Sequence, residues 1–327
     1  MKRYRVGLIH KFSDFDSERV DGLRSALGGF GIGRIPPHIT LVAPANIHPR
    51  DVGAEIYRLR TIASETEPYE LEVGPAGSFF PISPVLYLAV GGDLSELSRL
   101  QTKVISSRLY RAGQRPFVPH VTILEPAGDS EVFGALEVIK APLFKHRASS
   151  FEMMVSSTQG YWEVSGEFRF EPVRKVHRGG LSLEIFSHSG GDLALHDFVA
   201  TEGVSQSLFY PHADRRLRFD GQRHVAVSLY HDGQLIACAS SAFHSTIALI
   251  RAVVVRSDLQ RLGIGSLAIG ELLYQLQLCQ VETVFAISSR ADRGFFEKCG
   301  ARPASGGSWL IGYENGMTLN SWSFSSL

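Results

Sequence analysis

The chain has 327 residues, 44% of them hydrophobic, and its 33 basic side chains balance 33 acidic ones. That balance supplies no field to recruit a long polyanion or an anionic membrane, so a small nucleotide-like ligand is the easier partner. Three cysteines, Cys238, Cys279 and Cys299, form no C-x-x-C pair, and no apolar run approaches the roughly 20 residues of a membrane span; the expectation is a cytoplasmic protein without a disulfide framework or zinc site.

In chain order, "MKRYRVGLIHKF" alternates as a first strand over Tyr4–Ile9 and lacks the long apolar core of a signal peptide. Asp14–Leu27 reads as a helix stopped by Gly28-Gly29. A strand follows at His38–Val42, then a helix over Pro49–Ala63. Strands are expected at Glu70–Val73, Val85–Val90 and Val118–Leu124, with a helix over Leu94–Leu109 between the last two. Met153–Ser157 and Trp162–Phe170 close this half as strands joined by a turn at Gly160.

Two of these strands carry the same text. "IPPHITLVAP" holds His38 and Thr40, and "RPFVPHVTILEP" holds His120 and Thr122. Residues i and i+2 of a strand share a face, so each motif projects an imidazole and a hydroxyl together. A bare H-x-T is weak, as His244-Ser245-Thr246 shows by lacking both the proline and the aliphatic neighbours. The longer P-H-[IV]-T-[LI], written twice, is specific.

Chemistry at a phosphodiester needs one group to take a proton from the attacking oxygen and another to return one to the leaving oxygen. Two imidazoles in opposite protonation states can divide that work near neutral pH. Two hydroxyls can donate to the non-bridging oxygens as charge builds there. No metal is required for this chemistry.

These paired motifs resemble those of the 2H phosphoesterase superfamily, which includes 2',5' RNA ligases and cyclic nucleotide phosphodiesterases. "GPAGSFFPISPVLYLAV" is similar to that family's middle strands and "TQGYWEVSGEFRF" to its closing hairpin, so the resemblance covers about residues 1–172. It implies an α+β bilobal fold with His38, Thr40, His120 and Thr122 facing a central cleft that Phe79 and Tyr161 line. Arg115 is a further candidate for a phosphate.

"EPVRKVHRGG" reads as charged and glycine-terminated, and residues 173–180 are expected to link two domains. Beyond it, residues 181–327 read as a mixed α/β domain. Val225–Tyr230 and Leu235–Ser240 form a hairpin around Asp232-Gly233, Ile247–Val255 an apolar strand, and Gly265–Gln277 a helix. Thr283–Ile287 reads as a buried strand and Arg293–Cys299 as a short helix. A strand-to-helix turn at Gln260-Arg261-Leu262-Gly263-Ile264-Gly265 has the small residues and free helix-start amides that suit a phosphate.

That turn resembles the acetyl-CoA loop of the GNAT N-acetyltransferases, and "ADRGFFEKCGARP" resembles a later helix of the same family. The resemblance implies acetyl-CoA as cofactor, with Arg261, Gly263 and Gly265 at the pyrophosphate and the backbone of Val253 and Val255 along the pantetheine arm. Phe296 stands where that family often has a tyrosine acid, and the strand "ALIRAVVV" has Arg251 but no glutamate. His244, Glu202 and Ser289 are weaker candidates for proton transfer. The combined expectation is a fused enzyme: a phosphodiesterase on a cyclic or 2'-linked nucleotide-like substrate, joined to a transferase of acetyl groups to an amine. The alternative is a second domain that binds acetyl-CoA or mediates assembly without catalysing transfer. The dense basic run "DRRLR", 214–218, reads as a solvated face.

Overall fold

The computed structural model of the chain describes residues 3–28, 35–105, 108–109, 116–156, 161–189, 193–202, 223–289, 293–303 and 317–324. It divides into two units, Met1–Pro172 and Val173–Leu327.

The first unit runs β1 (Tyr4–Lys11), α1 (Asp14–Ala26), β2 (His38–Ile47), α2 (Pro49–Ser64), β3 (Tyr69–Ser78), β4 (Leu86–Gly91), α3 (Ser95–Val104), β5 (His120–Leu124), α4 (Asp129–Val138), β6 (Phe144–Ala148), β7 (Ser150–Ser156) and β8 (Trp162–Arg169). Helix starts follow local chemistry. Ser13 caps α1 by accepting from the Asp16 amide, and Pro49 opens α2, where no amide partner is needed. The strand read at Met153–Ser157 begins earlier, at Ser150, and α3 stops at Val104 because Ile105 turns to extended backbone.

The strands form two antiparallel four-stranded sheets, ordered β2-β1-β7-β8 and β5-β4-β3-β6. Each histidine strand is therefore a sheet edge, and β2 lies against β5. The connecting helices cross over: α1, which follows β1, packs on β5, while α3, which follows β4, packs on β2. Register on the motif strands is set by their intervening residues. Ile39, Leu41, Val121 and Ile123 are at most 3% exposed, each worth roughly 1.5–3 kcal/mol of burial. A one-residue slip would expose all four and bury the histidines, so the alternation itself aims His38, Thr40, His120 and Thr122 away from the core.

The second unit runs β9 (Arg174–Arg178), β10 (Leu181–Ser189), α5 (Leu193–Glu202), β11 (Arg223–His231), β12 (Gln234–His244), β13 (Ile247–Val255), α6 (Ile264–Leu278), β14 (Thr283–Ser289), α7 (Arg293–Lys298), β15 (Arg302–Pro303) and β16 (Met317–Ser323). One eight-stranded sheet has the order β15-β16-β14-β13-β12-β11-β10-β9. Ile264, Ala268, Ile269, Leu272 and Leu276 of α6 are fully buried in a cluster with Leu229, Ala239 and Val253 of the sheet.

Residues 173–180 correct the expected linker. Arg174–Arg178 is strand β9, paired with β10 through a turn at Gly179-Gly180, both at positive φ. Its side chains are exposed or partly exposed along the whole strand, so no alternation marked it. The turn at Gly160 and the segments 214–218 and Arg115 lie outside the described residues. No helix among the described residues is long and apolar enough to cross a membrane.

Candidate active site

The two motifs repeat not only in sequence but in geometry. His38 Nδ1 lies 2.7 Å from the Pro36 carbonyl, and His120 Nδ1 lies 2.7 Å from the Val118 carbonyl. Since a carbonyl only accepts, each Nδ1 carries a hydrogen and donates it, which leaves Nε2 as the nitrogen available to a substrate. The prolines of "IPPH" and "VPH" thus stand just where the chain must turn a carbonyl back onto its own imidazole.

The structure brings the two halves together. Burial pulls the His38 pKa down to about 4; the Pro36 carbonyl opposes this, while Arg24 and His120 push it further down. His120 is thus close enough to act electrostatically on His38. Thr40 pairs across β1 with Ile9, and Thr122 across β4 with Tyr87, so each threonine lies on the same face as its histidine.

An aromatic group surrounds His120. The Phe79 ring meets it edge-on at 4.9 Å between centroids, and Tyr87 lies 5.3 Å away and 4.4 Å from Phe79. Gly77, opposite Tyr87 on β3, makes room for this: a Cβ there would sit 2.6 Å from the tyrosine ring. Tyr161 lies just before β8 and is 44% exposed.

Three residues with a bearing on the site were not read from the sequence. Tyr87 looks like one more alternating strand residue. Arg24 looks like a helix-end cation, yet it is 8% exposed and reaches both the Thr122 carbonyl of β5 and the Ile35 carbonyl just ahead of β2. Glu152 pairs with Ile9 and so shares the Thr40 face. Its carboxyl is pushed up to about 7 by burial, and it accepts from the Lys11 amide at 2.9 Å and the Ser150 hydroxyl at 2.8 Å. Those bonds make it the partner of a β1 amide beyond the end of the β7 ladder.

In the second unit, β13 pairs with β14 only over Ile247–Leu249, while its other edge stays paired with β12 up to Val255. The strands therefore part before Val253 and Val255. The turn that follows holds Arg261 at φ 65° and Gly263 at φ 77°, and Gly263 caps α6. Gly265 is close to Phe295 and to Val255: an added Cβ would lie 3.3 and 3.4 Å from them. The β9 hairpin arrives from the other side, with the Arg178 guanidinium against Gly263, 2.7 Å from where a Cβ would stand. Arg174, Arg178, Ser266 and Tyr274 are among the residues that line a groove of about 590 Å³ beside α6.

Phe296 is 2% exposed and packs edge-on against Trp322, so it belongs to the core. Glu202 accepts from the Ser257 amide. His244-Ser245-Thr246 is the β12–β13 turn, with Ser245 at φ 52°, and the Ser289 side chain lies outside the described residues.

The comparisons with known proteins agree with this division. Residues 12–159 match the 2'-5' RNA ligase superfamily model. The chain is 31% identical over 168 residues to a Bacillus cereus (strain B4264) protein named "Putative phosphoesterase", covering 96% of that protein and 50% of this one. The chain belongs to the 2'-5' RNA ligase superfamily. A Bacillus anthracis protein of the same name is 30% identical, with the same coverage. Residues 193–301 of this superfamily member match the acetyltransferase (GNAT) family model, and its second unit has the GNAT fold. Among solved structures, E. coli LigT complexed with 3'-AMP is 19% identical, with a TM-score of 0.40 over 51% of this chain and 98% of that one. N-acetylglutamate synthase from Neisseria gonorrhoeae, complexed with coenzyme A and N-acetyl-glutamate, is 14% identical, with a TM-score of 0.34 over 43% of this chain and 35% of that one.

Proposed function

We propose that residues 1–172 are a phosphodiesterase acting on a cyclic or 2'-linked phosphodiester of a nucleotide-like molecule, and that the second domain binds acetyl-CoA and passes its acetyl group to an amine. The observation that carries the first part is the matched pair of imidazoles, each held through Nδ1 by a carbonyl two residues back and close enough to interact. A phosphate between them meets one unprotonated Nε2, which takes a proton from water as the water oxygen bonds to phosphorus. The other imidazole, protonated, gives its proton to the leaving ribose oxygen as that P–O bond breaks. The hydroxyls of Thr40 and Thr122 donate to the non-bridging oxygens. Each proton transfer contributes on the order of 100- to 10,000-fold.

For acetyl-CoA the residues present fit the group. The parted strands leave Val253 and Val255 backbone accessible from the β14 side, and the glycine turn offers amides at the start of α6, flanked by Arg261 and Arg178. Bound acetyl-CoA supplies a thioester acyl group. The burial of Phe296 favours a second reading, in which this domain binds acetyl-CoA without transferring it. Three free cysteines fit a reducing, cytoplasmic setting.

Phosphorus NMR of the protein with 2',3'-cyclic nucleotides and a 2',5'-linked dinucleotide tests the first domain: ring opening or cleavage supports it, and inert spectra with all of them contradict it. Acetyl-CoA consumption with a panel of amines tests the second. Turnover supports transfer, and tight binding without turnover supports the binding-only reading.

A further inference from the structure

The two half-sites are alike in motif, strand and imidazole anchoring, yet the chemistry above needs them to differ. Arg24, in the last turn of α1, is one place where they differ, beside the aromatic rings next to His120. Its Nε and Nη2 donate to the Thr122 carbonyl at 3.2 and 2.9 Å, and Nη1 donates to Asp21 Oδ1 at 3.0 Å and to the Ile35 carbonyl at 3.3 Å. Thr122 is the motif threonine of one half, and Ile35 opens the Ile-Pro-Pro segment whose Pro36 carbonyl orients His38 in the other. One side chain thus bonds to the backbone of both half-sites.

We propose that Arg24 is a positioning residue that fixes the two motif strands against each other and, through its buried charge, reserves the base role for His38 and the acid role for His120. A cation held behind His38 opposes a second positive charge there, so His38 meets the substrate neutral. Among the described residues, few charged groups act on His38. From α1 comes Arg24, whose own ion-pair partner is Asp21. From β5 comes His120. From β1 comes Lys11, opposite His38 and 3.8 Å from Asp14. Helix α3, packed on β2, buries the apolar Leu97, Leu100 and Val104. Burial also lowers the Arg24 pKa, with Asp21 opposing, but a guanidinium stays charged throughout the working range.

The inference rests on the acid–base reading of the motifs, and its test is chosen to stand apart from it. NMR titration of the His38 ring is followed in the wild type, Arg24→Met, Arg24→Lys and Asp21→Asn, with no substrate present. The expected result is opposite signs: the His38 midpoint rises by about one pH unit, a tenfold change in proton affinity, in Arg24→Met, and falls in Asp21→Asn. Arg24→Lys, which keeps the charge but loses the fork, leaves the midpoint near wild type while slowing phosphodiester turnover. Should Arg24→Met fail to fold, a fall in Asp21→Asn beside an unmoved midpoint in Arg24→Lys still tests the charge coupling, and a rise or no movement in Asp21→Asn overturns it. Midpoints that coincide in all folded variants, or that move the same way in Arg24→Met and Asp21→Asn, overturn the proposal. Inert phosphodiesters beside the expected titrations would overturn the reaction and leave the electrostatic coupling of Arg24 to His38 standing.

Discussion

At the scale of single residues, a motif is legible where its neighbours in sequence are its neighbours in space. His38 and Thr40 could be paired from the two-residue period of a strand, and each histidine's anchor lies only two residues back. Arg24 and Thr122 are 98 residues apart, and no local pattern links them. Tyr87 was hidden for the same reason, since its ring matters through Phe79, His120 and the bare backbone of Gly77. Gly77→Ala tests that arrangement. A Cβ 2.6 Å from the ring forces Tyr87 to move, and shifts of about 1 Å can cost up to about 100-fold in rate. We expect kcat on a cyclic nucleotide to fall at least about threefold with the fold intact by circular dichroism; an unchanged kcat would show that Tyr87 does not position His120.

Elements were legible in proportion to how one-sided they are. The apolar β13 and the core face of α2, with Val52, Ile56, Leu59 and Ala63 buried, stand out in sequence. Helix α4 buries only Val132 and Ala135, and β9 presents almost nothing but charge, so neither announces itself. The β9 hairpin matters nonetheless because it brings Arg178 to the α6 cap. Two cations and a helix start in one place favour an anion there. Arg178→Ala is therefore expected to weaken acetyl-CoA binding about three- to tenfold at low salt, less at high salt, by calorimetry. Equal affinity of the variant at both salt concentrations would remove Arg178 from the cofactor site.

For the whole molecule, composition and motifs pointed to two folds, and two units meet the 2'-5' RNA ligase superfamily and the GNAT family in turn. What composition hid was the start of the second unit, because a charged, glycine-ended stretch suits an exposed hairpin as well as it suits a linker. Cutting between Pro172 and Val173 should yield two pieces that each melt cooperatively, the first keeping phosphodiester turnover and the second acetyl-CoA binding. Loss of cooperative melting by either piece would mean that the division into units is not a division into domains.

The most direct measurement is the rate of 2',3'-cyclic nucleotide ring opening by the wild type, His38→Ala and His120→Ala. If the matched imidazoles are the acid and the base, each variant falls by at least about 100-fold while the fold is kept. Ring opening by the wild type that persists at the same rate in either variant would contradict acid–base catalysis by this pair.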